Sequence, residues 1–310
     1  MTPKSRLCLT VRVIVAALFS SLLPLIAFPQ LRSNTPPSKT QVVLLGTGTP
    51  DWDPDRSGPA TAIIVNDTPY LVDFGPGVVR RAGAAYKKGV KALYPPNIRV
   101  AFLTHRHADH TVGYADLIFS PAQAATSILQ PLEVYGPTGL TEMTEHTLKA
   151  HKLNPNDERF KVNAHEIKPG IVYKDANVTV TAFPVKHGRI EAYGYRFETP
   201  DRTIVISGDT TPTQSVIDNC NGCDVLIHEA YSMMTHQKAT PEDQAAQKNL
   251  HTSSYELAEI ANKAKPKLLV LYHRSNLGGS GVPNPEGILV EELKKTYKAK
   301  VVTGHDLDIF

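Results

Sequence analysis

Cysteine occurs three times and tryptophan once in the 310 residues, and neither charge sign is in clear excess. Each scarcity excludes something. Three cysteines cannot build a disulfide framework, and none has zinc-finger spacing. Cys220 and Cys223 form CNGC. A redox pair of this spacing puts its first thiol at a helix N-terminus, where the dipole lowers its pKa. Here TPTQSVIDN before it reads as a helix and DVLIHEA after it as a strand, the wrong order. A turn, disulfide-linked in an oxidising compartment, fits better.

Long apolar runs are also scarce. One, VIVAALFSSLLPLIAF (13–28), follows Lys4, Arg6 and Arg12 with no acid between. That order reads residues 1–30 as an export signal or N-terminal anchor and predicts a periplasmic or secreted protein. Interrupted by Ser20, Ser21 and Pro24, the run is short for a spanning helix. Cleavage is expected between Ala27 and Gln30, without a clean A-x-A site. The protein would meet a membrane only if this segment stays uncleaved. Residues 31–40 read as a polar linker and 41–310 as the folded domain. The leader holds three of the 33 basic residues and none of the 30 acidic ones, so the remainder balances at 30 of each. An extended polyanion normally needs a basic surplus; long nucleic acid is therefore disfavoured, and a small anionic ester is the expected substrate. No P-loop lysine follows the glycines of GTGTP or DFGPG, which read as turn formers.

What the sequence does have is LTHRHADHTVG (103–113), with His105, His107, Asp109 and His110 within six positions. IRVAFLTH (98–105) reads as a buried strand. Residues two apart on a strand share a face, so His105 and His107 point together. HTVGYADLIF reads as a helix that turns Asp109 and His110 back to the same point. Such a cluster without a cation would carry a heavy desolvation cost; a divalent metal removes it. The rest of the chain alternates strands with helices in two matched halves, an α/β layered domain. QVVLLGTG, TAIIVND and YLVDFG open it, GVVRRAGAAYKKG is a helix closed by Gly89, and Ser253 and Glu256 make a capping box. Further apolar runs end in His187, Asp209 and His273.

Two zinc ions need seven or eight nitrogen and oxygen ligands. His105, His107 and His187 would hold one; Asp109, His110 and His273 the other; Asp209 would bridge them beside a shared water or hydroxide of lowered pKa. Manganese or iron suits the same donors. THRHADH, VKHG, SGDT and LYH, in that order, resemble the metallo-β-lactamase superfamily. The resemblance covers essentially 41–310 and implies a four-layer αββα sandwich with a dinuclear site at one edge. LLGTGTP, LVDFGPG, VYGP, PVKHG…YGYRF, SGDT and HEAY look most like its ribonuclease Z branch and arylsulfatase-like relatives. SGDT argues against a true β-lactamase. Bacterial ribonuclease Z members carry a long RNA-clamping arm between the positions matching His187 and Asp209, where this chain has only GRIEAYGYRFETPDRTIVISG.

The expectation is therefore an exported dinuclear zinc hydrolase that cleaves small phosphodiester or aryl sulfate esters through a metal-bridging hydroxide. The alternatives are a ribonuclease Z-like endoribonuclease or a lactonase; a catalytically silent scaffold would have lost a ligand, and none is missing. Asp109 would double as general base. By the resemblance, His251 would donate a proton to the leaving group; Glu229, beside His228 in HEAY, would orient it. Asp73 would fix the tautomer of a ligand imidazole. Trp52 sits in a loop that could wall the pocket, and Arg189, Arg274 and Lys186 flank ligand positions where they could hold an anion. His146, His151, His165, His236 and His305 read as structural. A homodimer is compatible with the resemblance.

Overall fold

Alternation along the strands decides the layering. Val42 and Leu44 of the first strand face one side while Val43 and Leu45 face the other, and all four are fully buried. A strand buried on both faces needs a layer on each. The computed structural model describes residues 40–310 apart from 153, 155 and 276–284; the expected leader and, except for Thr40, the linker lie outside the described residues. Among those, no helix is long and apolar enough to cross a membrane.

One sheet runs in the order β1 (Gln41–Gly46), β2 (Ala60–Val65), β3 (Thr68–Val72), β4 (Val100–Phe102), β5 (Leu132–Gly136), β6 (Val162–Glu166). The other is made of β7 (Gly170–Lys174), β8 (Thr179–Pro184), β9 (Tyr193–Glu198), β10 (Thr203–Ile206), β11 (Val225–Tyr231), β12 (Leu268–Ser275) and β13 (Val301–Thr303), and its order runs from β13 down to β7. In the first sheet β1, β2 and β3 pair antiparallel and the rest parallel; in the second β7, β8, β9 and β10 pair antiparallel and the rest parallel.

The sheets meet through Ile63, Tyr70, Phe102, Tyr195, Phe197, Ile206 and Tyr272. Outside the first sheet lie α1 (Val78–Lys87), α3 (Tyr114–Ala124) and α4 (Leu140–His151), the short α2 (Ala108–Thr111) carrying part of the histidine loop. Outside the second lie α5 (Gln214–Cys220), α8 (Ser254–Ala264) and α9 (Pro285–Lys294), with α6 (Met233–His236) and α7 (Pro241–Leu250) at the site end. Helix, sheet, sheet, helix is the expected αββα sandwich. After β13 the chain returns to the first sheet, where Val42 and Leu44 exchange backbone hydrogen bonds with Leu307, Asp308 and Phe310.

Several local expectations hold. Lys88 caps α1 with Gly89 beyond it at φ 109°. Ser253 and Glu256 form the reciprocal capping box of α8, an arrangement typically contributing about 1 kcal/mol. Cys220 and Cys223 are joined in a disulfide where α5 gives way to β11, at the helix C-terminus. Two expectations need correction. The strand read as 98–105 stops at Phe102, because the Thr104 amide donates to the Asp73 side chain instead of a neighbouring strand. The helix read from His110 onward is two pieces, α2 and α3, broken at Val112 and Gly113. There the Gly113 amide donates to the Phe74 carbonyl, and a Cβ would lie 2.3 Å from the Gly75 carbonyl oxygen. The DFGPG loop thus lies against the histidine loop, a close approach that only glycine permits.

Candidate metal centre

The seven candidate ligands leave the sheets at one edge, where β4, β8, β10 and β12 end. His105 follows β4, His187 follows β8, Asp209 follows β10 and His273 lies on β12, with Asp109 and His110 on α2. His273 needs a special backbone. Glu229 pairs with Tyr272 and Ala230 with Arg274, leaving His273 as the extra residue of a β-bulge at φ 41°. A bulge re-aims a side chain that regular pairing would send elsewhere; here it turns the His273 imidazole inward, where Nε2 lies 3.0 Å from Asp109 Oδ2.

The donors gather as the sequence grouped them. His105, His107 and His187 present atoms within 4.8 Å of one another, as do Asp109, His110 and His273. Asp209 stands between: its Oδ2 is 3.9 Å from His105 Nε2 and His187 Nε2, 3.5 Å from His110 Nε2 and 3.4 Å from His273 Nε2. It is 2 % exposed.

Three imidazoles have their outer nitrogen fixed by a hydrogen bond. Asp73 accepts from His110 Nδ1 at 2.8 Å. The Thr104 hydroxyl, itself donating to Asp73, accepts from His105 Nδ1 at 3.0 Å. The Leu250 carbonyl accepts from His187 Nδ1 at 2.6 Å. Because a carboxylate and a carbonyl only accept, the Nδ1 of His110 and His187 carries hydrogen and Nε2 turns a lone pair inward. Asp73 does this from a left-handed backbone, φ 60°, uncommon for a non-glycine residue. The expected role of Asp73 is thereby doubled: it reaches two rings, one through Thr104, a residue the sequence reading missed although it precedes His105 in the motif. His107 Nδ1 and His187 Nε2 face each other at 3.1 Å.

The donor set fits a metal on an observation independent of motif: His105 Nε2, His110 Nε2 and Asp209 Oδ1 are buried without any hydrogen-bond partner. Buried polar atoms are nearly always satisfied, and three converging exceptions point at one kind of ligand. Burial holds the His105 imidazole well below its ordinary value, with His110 adding to the effect, and burial brings His187 down to about 4. Both stay neutral, as ligands must. For His110 burial works the same way, but the Asp209 and Asp73 carboxylates outweigh it and push the ring well above the ordinary value. A proton and a divalent cation meet the same carboxylates there, so metal affinity falls as pH falls.

Beside the ligands, His251 follows α7 with Nδ1 3.4 Å from Glu229 Oε1. That oxygen accepts from the amides of Thr210 and Thr252, and Glu229 is fully buried. Burial opposes a charge on His251, but the Glu229 carboxylate outweighs it and the imidazole is pushed up to about 9. Burial also raises Glu229, against the opposing pull of His251. The pair therefore keeps a proton at neutral pH. A cavity of about 220 Å³ opens onto His107, Asp109, His187, Asp209, His251 and His273, walled by Thr49, Pro50 and Asp51. The loop expected to wall the pocket does so, but Trp52 itself is 98 % exposed.

Arg274 is corrected. It is buried, donating to the Gly304 carbonyl and to Glu286, and is committed to structure. Lys186 and Arg189 are exposed. Of the histidines read as structural, His165 contacts Glu133, His236 contacts Gln247 and His305 contacts Glu286; His146 and His151 join no metal-capable group among the described residues.

Asp73→Asn keeps the volume but exchanges an acceptor for an amide that cannot hold both rings. It should weaken metal binding about 10- to 100-fold, measured by chelator competition. Affinity unchanged from the parent would refute the positioning role.

Residues 68–274 match the family model described as beta-lactamase superfamily domain. Ribonuclease Z of Mycobacterium bovis (strain BCG / Pasteur 1173P2) is 32 % identical over 281 residues, covering 86 % of this chain and 96 % of the relative. Ribonuclease Z of Mycobacterium tuberculosis (strain ATCC 25618 / H37Rv) is 31 % identical over 280 residues with the same coverage. Among solved structures, the metallo-beta-lactamase fold protein YhfI from Bacillus subtilis superposes with a TM-score of 0.69 at 19 % identity, covering 88 % of this chain and 99 % of that one. Human tRNase Z, short form, gives 0.65 at 23 %, covering 87 % and 98 %. At these identities the structures speak for the fold.

Proposed function

The chain belongs to the β-lactamase superfamily and is a hydrolase of its metallo-β-lactamase fold, and from that premise we propose that it is a metal-dependent phosphodiesterase acting on RNA in the manner of a ribonuclease Z. One observation carries the reading: two groups of three donors meet at Asp209, with the His251–Glu229 pair beside them, in a chain that covers 96 % of a ribonuclease Z relative. The short interval between His187 and Asp209 weighed against ribonuclease Z in the sequence. β9 and β10 indeed pair directly, without an intervening arm. With so little of the mycobacterial relatives left uncovered, that brevity no longer separates this chain from them.

Two ions, held by His105, His107 and His187 and by Asp109, His110 and His273 with Asp209 shared, would supply Lewis acidity and a water of lowered pKa. The chain's own groups do the rest. Asp109 accepts the proton of the attacking water, His251 gives one to the departing oxygen, and Glu229 holds His251 in line. Zinc is the proposed metal, with manganese or iron compatible.

The test loads the chain with zinc and offers an RNA stem with a 3′ trailer, bis-p-nitrophenyl phosphate and p-nitrophenyl sulfate, with Asp209→Ala as blank. Preferential cleavage of the trailer supports the reading; cleavage of the sulfate alone sinks it. The compact cavity favours a second reading, a hydrolase of small phosphodiesters, which fast bis-p-nitrophenyl phosphate cleavage with intact RNA would establish. Export remains the proposal for residues 1–30. Mass spectrometry of the secreted or periplasmic protein should find its first residue between Phe28 and Leu31, and an intact leader on soluble protein would refute cleavage.

A further inference from the structure

A second cavity, about 450 Å³, adjoins the first and shares His107 with it. Arg106 and Arg189 border it, together with Pro137, Thr138 and Glu191. The chain places both arginines by the first metal group: Arg106 lies between His105 and His107, and Arg189 two residues beyond His187. Neither has a carboxylate within ion-pair distance among the described residues, unlike Arg56, Arg81 and Arg274.

The Arg106 guanidinium has a bed prepared for it. Gly139 stands at φ 90° before α4, and a Cβ there would lie 2.4 Å from Arg106 Nη1. The guanidinium occupies the space that a side chain at 139 would take, so any such side chain would displace it. Neighbouring backbone donors are already engaged. Glu166 accepts from the Gly139 and Thr141 amides, and Glu191 accepts from the Thr138 amide and the Tyr193 hydroxyl. Two guanidinium groups against the one carboxylate that borders the cavity leave it net positive, in a chain whose bulk charge is near balance.

We infer that Arg106 and Arg189 form a subsite for a second phosphate of the substrate, adjacent to the one cleaved and on the side of His105, His107 and His187. The inference rests on the phosphodiester reading above and deepens it. Guanidinium forks suit phosphate because their parallel N–H groups match two of its oxygens. A neighbouring backbone phosphate and the terminal phosphate of a short fragment offer the same chemistry.

The experiment measures binding, so it stands apart from turnover. Titration calorimetry on the zinc-loaded full chain compares adenosine 3′,5′-bisphosphate, adenosine 5′-monophosphate and inorganic phosphate. The bisphosphate should bind about tenfold tighter than the monophosphate. Arg106→Ala/Arg189→Ala should abolish that preference, and Arg106→Lys, which keeps charge but loses the fork, should fall between. Arg189→Ala alone leaves the histidine loop (103–113) intact and should lower the ratio even where the double variant binds zinc poorly. Equal affinity for the two nucleotides in the parent, or a preference undiminished from the parent in both Arg189→Ala and Arg106→Lys, overturns the subsite. Replacing AMP by a 5′-phosphorylated dinucleotide separates the two sources of the second phosphate. Should RNA and bis-p-nitrophenyl phosphate both go uncleaved while the preference holds, the hydrolytic reading fails and the subsite stands.

Discussion

Asp209→Ala should bind one zinc ion or fewer per chain and lose turnover by about three orders of magnitude or more, the expectation when a shared ligand of a two-metal site is removed. Among the described residues, Asp209 Oδ2 is the one carboxylate oxygen within 4 Å of ring nitrogens from both donor groups. Burial alone would keep its carboxyl protonated, but His273 and His110 hold it well below the usual carboxylate range. Alanine would leave the inward nitrogens of two groups with no anion between them. Elemental analysis after gel filtration reads the metal, and initial rates read the loss. Asp209→Asn distinguishes charge from shape: it keeps one oxygen donor and should retain more metal than alanine while staying inactive. Two ions and parental activity in Asp209→Ala would refute the bridge.

The second large effect belongs to His251→Ala. Removing a proton donor should slow esters with poor leaving groups by about 10²-fold while sparing those that leave as stable anions. An RNA hydroxyl and p-nitrophenolate are such a pair, so the ratio of their rates is the readout. Glu229→Gln should move the ratio the same way by less, since Glu229 acts through His251. The pH dependence has a defined sign. A donor is competent while protonated, so the advantage is present below the pKa of about 9 and fades as pH rises through it; bound cations push that limit downward. In His251→Ala the alkaline fall for RNA should be absent. Equal slowing of both esters would show that His251 supports the site's shape instead.

Most of the donor set is legible in the sequence for a physical reason. His105, His107, Asp109 and His110 are local, and His187 and Asp209 each follow an apolar run, so strand ends announce them. His273 was found the same way, but not the bulge that aims it, because a register shift belongs to the pairing of β12 with β11 and to neither strand alone. Thr104 was missed since its role depends on Asp73, 31 residues earlier, meeting it across the β3–β4 edge. Arg274 was misjudged for the same reason: its partners, Glu286 and the Gly304 carbonyl, are distant contacts that no spacing reveals. The brevity of the interval between His187 and Asp209 is legible in the sequence, and β9 pairs directly with β10; what that brevity means for the substrate is not.

Trp52 gives the protein an optical handle. It is the only tryptophan in the chain, 98 % exposed, and it adjoins Pro50 and Asp51 on the wall of the cavity. A ring already in water changes its surroundings little when the chain unfolds, so its emission wavelength is a poor thermometer of the fold. What can change its surroundings is an occupant reaching the rim. With no second indole to dilute the signal, tryptophan emission becomes a gauge of who visits the site, and stability has to be followed by circular dichroism or calorimetry.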